Sequence, residues 1–125
     1  MPEFAIWRWS IAKFRVIQLK EIPGGGLIMV TAGGQDIMLA RVGEKVYATQ
    51  NWCPHMGGNL SRGTLEGTVV TCPRHHSRFD VSDGKVLRWT TWSPVVLFFA
   101  KIVKSPRPLK TYPVTLEAGD VFVDV

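Results

Sequence analysis

The chain has 125 residues, 46% of them hydrophobic and 20% charged. That size is one domain, able to bury roughly two-thirds of its unfolded surface without a disulfide, and that composition excludes a disordered or fibrous protein. Lys and Arg number 15 against 10 Asp and Glu, a formal charge of +5 with a pI near 9.6, which favours acidic partners. The densest basic stretch, Lys101, Lys104, Arg107 and Lys110, is too widely spaced for a nucleic-acid-binding tail, so no nucleic acid is expected as a partner.

The first 15 residues include Trp7, Arg8, Trp9, Lys13 and Arg15 and hold no apolar stretch of signal-peptide length. The longest apolar run, 95–100, is far too short to span a membrane. A cytoplasmic protein without a transmembrane segment is therefore expected. Short β-forming runs follow one another: 14–19, 27–31, 36–42, 45–49, 68–71, 86–88, 112–116 and 121–125. Gly-containing turns separate them, at Pro23-Gly24-Gly25-Gly26, Ala32-Gly33-Gly34 and Gly43-Glu44. Asp83-Gly84, between Val81 and Val86, predicts a type I′ hairpin. Short strands at this spacing indicate an all-β sandwich or barrel.

Two stretches depart from that pattern. Residues 51–66 are rich in turn formers, among them Gly57, Gly58 and Gly63. Residues 95–104 read as an apolar helix, with Ser93 as its N-cap, Pro94 at its first position and Pro106 as its stop.

Both cysteines and all three histidines lie in two patches, Cys53-Pro54-His55-Met56-Gly57-Gly58 and Cys72-Pro73-Arg74-His75-His76-Ser77. Each patch supplies a soft thiolate and an imidazole. A structural zinc site usually draws two chelating pairs around one ion. Two facing loops with one ligand of each kind can instead grip two irons, thiolates on one and imidazoles on the other.

The pattern Cys-x-His, 16 residues, Cys-x-x-His, with Pro73 inside the second patch and Phe79-Asp80 after it, resembles the Rieske-type ferredoxins. Val46-Tyr47-Ala48 and Asp83-Gly84-Lys85 extend the resemblance, which covers about residues 13–88 and 111–125. It implies an all-β, Rieske-type β-sandwich over residues 1–125. A small cluster-binding subdomain is expected at about 50–82 and a helical insert at about 89–108. It implies one [2Fe-2S] cluster per chain, with Cys53 and Cys72 on one iron and His55 and His75 on the other. Ser77 matches a serine that donates to a cluster sulfur, and His76 is a surface non-ligand. The glycines of the first loop are expected to permit backbone conformations closed to other residues. High-potential relatives carry an inter-loop disulfide and a donor tyrosine. Here those positions match Gly58 and Arg74, and Phe79 replaces the tyrosine. A potential in the low to middle part of the Rieske range, about −150 to +300 mV, is therefore expected.

The resemblance further implies a one-electron carrier between a reductase and a terminal oxygenase or other acceptor, with its histidine-ligated edge near the surface. It is not itself an oxygenase: a mononuclear iron would need a further two histidines and a carboxylate, and only His76 remains. The insert at 89–108 reads either as a cover on the β core or as a contact with a partner, a second copy or a membrane surface. Two rivals stand beside the carrier. One is an accessory subunit of a reductase, resembling the small subunit of nitrite reductase. The other is a zinc-stabilised binding module.

Overall fold

Residues 36–42 are apolar almost without alternation, which is what a strand covered on both faces requires. They lie in β3 (Gln35–Val42), the longest strand described. The computed structural model describes residues 13–23, 25–55, 57–74, 76–89 and 107–125. Antiparallel to β3 run β2 (Leu27–Ala32) and β4 (Lys45–Gln50), and β9 (Thr111–Tyr112) closes this sheet against β4. β2 and β3 are joined by Gly33-Gly34, both at positive φ (56° and 76°), with Ala32 opposite Gln35. The two-residue turn with positive φ at both positions is thus built here.

Two further antiparallel sheets flank this one. β1 (Lys13–Gln18), β11 (Asp120–Asp124) and β10 (Val114–Glu117) form the first, in the order β1-β11-β10. The second is smaller and runs in sequence order: β5 (Thr64–Glu66), β6 (Val69–Thr71), β7 (Arg78–Asp80) and β8 (Val86–Arg88). Alternation along β3 serves both flanks. Ile37 and Leu39, fully buried, pack with Val46, Ala48, Val121 and Val123. Met38 and Ala40, equally buried, pack with Leu60, Val70, Phe79 and Trp89 on the opposite side. The all-β class is as expected.

Some local expectations are corrected. Residues 112–116 are two strands, because Pro113 has no N–H to continue a ladder and the chain changes sheets there. The hairpin after β7 carries five residues, not two. Gly84 is at positive φ (81°) but Asp83 is not, and Gly84 N–H donates to the Asp80 carbonyl. β5 and β7 were not expected; each offers one apolar residue, Leu65 or Phe79, between two polar ones, whereas the equally short β6 and β8 each carry two adjacent apolar residues. Gly58 and Gly63 do not occupy positive φ. The helix expected at 95–104 lies outside the described residues, as does the insert at 89–108 apart from residues 89, 107 and 108. Among the described residues the helical segments are the 3-10 turns η1 (Leu19–Glu21) and η2 (Leu60–Arg62), and no helix is long and apolar enough to cross a membrane.

Candidate metal centre

The two Cys-Pro patches fold into the same loop. Cys53 N–H donates to the Gly58 carbonyl (2.8 Å), and Gly57 N–H donates to the Cys53 carbonyl (2.8 Å). Cys72 N–H donates to the Ser77 carbonyl (2.8 Å), and His76 N–H donates to the Cys72 carbonyl (3.1 Å). Counted from each cysteine, donors and acceptors occupy the same positions. The residues outside the loops pair alike too, Trp52 with Asn59 and Thr71 with Arg78. The fourth residue after each cysteine turns the chain through the left-handed region, Gly57 at φ 72° and His76 at φ 61°. Glycine takes that conformation without cost; histidine does not.

The loops meet at Gly58. A Cβ built on Gly58 would stand 2.6 Å from Cys72 Sγ and 3.2 Å from Arg74 Cβ. The glycine is needed for space, so that the first loop can lie against the second cysteine. Cys53 and Cys72 are both buried. His55 is 3% exposed, so the expected surface position of its ring is corrected. Its cover is Trp89, whose ring stands edge-on to it at 4.8 Å between centroids. The Ser77 hydroxyl, fully buried, donates to the Trp89 carbonyl. The Trp89 indole N–H is buried and has no hydrogen-bond partner among the described residues. His76 is exposed. His75 lies outside the described residues. Among those described, no three His, Cys, Asp or Glu gather around one metal ion.

Supporting residues that the spacing did not reveal hold the first loop. The Asn59 side-chain oxygen accepts from Ser61 N–H (3.1 Å), the Ser61 hydroxyl (2.6 Å) and Asn51 Nδ2 (3.1 Å), capping η2. Asn51 is fully buried, and its carbonyl accepts from Leu60 N–H. Gln50 ties the loop to the returning chain by accepting from Lys110 N–H and donating to the Trp52 carbonyl. No motif marks these residues; only the short Asn-x-Ser step at 59–61 is a turn signal.

The donor set suits a two-iron group. Two soft thiols lie on loops of one shape that touch without a Cβ between them, and a buried imidazole packs against a tryptophan ring whose N–H has no acceptor among the described residues.

The family model of the Rieske [2Fe-2S] domain matches residues 12–113. Over 109 residues the chain is 37% identical to the ferredoxin component of a naphthalene 1,2-dioxygenase system from Pseudomonas aeruginosa, covering 87% of this chain and 91% of that protein. It is 31% identical over 115 residues to the ferredoxin component of a biphenyl 2,3-dioxygenase from Rhodococcus jostii (strain RHA1), covering 92% and 94%. The solved ferredoxin of carbazole 1,9a-dioxygenase from Nocardioides aromaticivorans IC177 superposes with a TM-score of 0.75 at 25% identity, over 90% of this chain and 97% of that one.

Proposed function

The chain belongs to the Rieske [2Fe-2S] domain family, and on that premise we propose a cytoplasmic one-electron carrier that links a reductase to a terminal oxygenase. The likeness to ferredoxin components over about nine-tenths of the chain supports this reading. Cys53 and Cys72 would hold one iron as thiolates, and His55 and His75 the other as imidazoles. When bound, the group accepts and releases a single electron, at a higher potential than an all-cysteine cluster because neutral imidazoles replace two thiolates.

The chain's own residues do the rest. Pro54 and Pro73 stiffen the backbone beside each cysteine. Burial of Cys53, Cys72 and His55 keeps water from the ligands. Trp89 fixes the His55 ring from its edge. Phe79, fully buried, brings no hydroxyl, which supports the low to middle part of the potential range. Ser77 is proposed to tune that potential upward by acting through Trp89, whose carbonyl takes its one hydroxyl proton.

The observation that carries this reading is the pair of matched loops in contact at Gly58. Electron paramagnetic resonance of the reduced protein tests it, with iron, zinc and acid-labile sulfide measured on the same sample. The expected result is a red-brown protein with a Rieske signal, two irons and two sulfides per chain. A colourless protein with one zinc overturns it in favour of the zinc-stabilised module.

A further inference from the structure

We propose that the loop-bearing end of the small sheet is a basic docking face for a redox-partner protein that presents clustered carboxylates. This rests on the electron-carrier reading and goes beyond it by fixing the sign of the partner's contact surface.

Thr64 lies opposite Thr71, Thr71 opposite Arg78, and Arg78 opposite Arg88. This row is one end of the four-stranded sheet. The second loop, 72–77, projects from it between β6 and β7, and η2 enters it just before β5. Glu66, Val69 and Asp80 form the row at the other end.

Charge follows these rows. Within residues 51–89 the cations are Arg62, Arg74, Arg78, Lys85 and Arg88, and the carboxylates are Glu66, Asp80 and Asp83. All four arginines stand at the loop-bearing end, with His76 among them. All three carboxylates stand at the far end, with Lys85. Arg62, Arg74, His76 and Arg88 are exposed, and Arg78 is half-buried. Backbone contacts hold the group together. Arg88 Nε donates to the His76 carbonyl (3.2 Å), and Arg74 Cβ lies 3.2 Å from where a Cβ on Gly58 would stand. Asp36, the acid hydrogen-bonded to Trp52 beside the first loop, accepts from the Trp52 indole N–H and the Thr31 hydroxyl.

An electron leaves a carrier where the ligand loops approach the surface, so the face that must touch the acceptor is the face that carries the arginines. Guanidinium groups in a row recognise planar carboxylates in pairs, and a field of one sign speeds encounter with a surface of the other. Phosphates would meet the same groups. A nucleic acid seated there would cover the route of the electron, which favours the acidic protein.

The test is stopped-flow oxidation of the reduced holoprotein by anionic hexacyanoferrate(III) and by cationic hexaammineruthenium(III). Arg62→Glu/Arg74→Glu is compared with Lys45→Glu/Lys85→Glu, which changes net charge equally but away from the loops. Arg62→Gln/Arg74→Gln provides a graded variant that introduces no new carboxylate. The loop-end reversal is expected to slow the anionic oxidant about tenfold and to speed the cationic one. The Gln pair should fall between, and the control should move either rate less than about twofold. Poly-L-glutamate should slow the anionic oxidant in the unmodified protein and lose that effect in the Arg62→Glu/Arg74→Glu variant. Equal shifts in the control overturn the proposal, because net charge alone would then set the rates. A DNA duplex that, at equal charge, protects better than poly-L-glutamate through the same arginines also overturns it. Failure to bind iron at all is seen in the absorbance before any kinetics; it removes the electron-carrier reading and this inference with it.

Discussion

The ring of Trp89 meets the ring of His55 edge-on, at 72° between planes and 4.8 Å between centroids. Trp89 thereby joins the two loops, since His55 belongs to the first and Ser77, the donor to the Trp89 carbonyl, ends the second. Trp89→Ala removes a ring that is 4% exposed, and an expected loss of about 3 kcal/mol follows from deleting a buried aromatic. Thermal melts of the holoprotein check the loss, and iron release to a chelator should quicken in parallel. Trp89→Phe keeps an aromatic ring but loses ring volume along with the unpartnered N–H, so its stability should fall between that of the unmodified protein and that of Trp89→Ala.

Adjacent glycines of the first loop separate two kinds of need. Gly58→Ala places a methyl 2.6 Å from Cys72 Sγ. The second cysteine must then move, and iron bound per chain is expected to fall severely. Gly57→Ala meets no atom within 4 Å but sits at φ 72°. It should cost about 1–2 kcal/mol of backbone strain while iron is retained. Metal analysis beside denaturant unfolding reads both; equal iron loss in the two variants would refute the distinction.

His76 occupies in the second loop the place of Gly57 in the first, at φ 61°. The strain of about 1–2 kcal/mol is relieved by His76→Gly, and the freer unfolded chain returns about 0.5–1 kcal/mol of that gain. A net stabilisation of about 0.5 kcal/mol is expected in urea unfolding. His76→Val, β-branched, should destabilise instead.

Ser77 has one hydroxyl proton, and it goes to the Trp89 carbonyl. Ser77→Ala leaves that buried carbonyl without its donor, a cost of about 1 kcal/mol. If the hydroxyl also tunes the irons, redox titration of the variant gives a lower potential. An unchanged potential with lowered stability assigns Ser77 to structure alone.

The Asp80 carboxyl is held below the usual carboxylate range, first by the Ser82 hydroxyl (2.6 Å) and then by Ser82 N–H (2.9 Å), against the opposing effect of partial burial. A carboxyl whose folded pKa is depressed adds stability that is fully present above its unfolded value and is lost as pH falls through the folded one. Asp80→Asn should therefore reduce stability at neutral pH and flatten the acid limb of the stability curve. Identical acid limbs in the two proteins would contradict this.

Much of the site is readable in the residues. The two-fold Cys-Pro pattern anticipates the two loops, which the matched hydrogen bonds show, while the ligand set Cys53, His55, Cys72 and His75 is the proposal that metal analysis tests, with His75 outside the described residues. The middle of the fold is equally plain, since the unbroken apolar run of β3 calls for cover on both faces. What escapes is of two kinds. β5 and β7 are fixed by pairing with β6, a non-local cause that one apolar residue between two polar ones cannot announce. Trp89 and Asn51 act through tertiary contacts, and a tryptophan 34 positions from His55 gives no local sign that the rings will meet. The Asp83-Gly84 signal fails for a related reason. Gly84 is drawn to the Leu109 backbone, whose N–H donates to its carbonyl (2.8 Å), and the wider bend answers to that neighbour.

β3 is a party wall. Ile37 and Leu39 furnish one room, and Met38 and Ala40, on the same few ångströms of chain, furnish the next. The room built with β1, β10 and β11 takes no furnishing from either cysteine loop, whereas Cys53 and Cys72 are part of the other, so the packing that a metal would touch directly lies on one side of the wall alone.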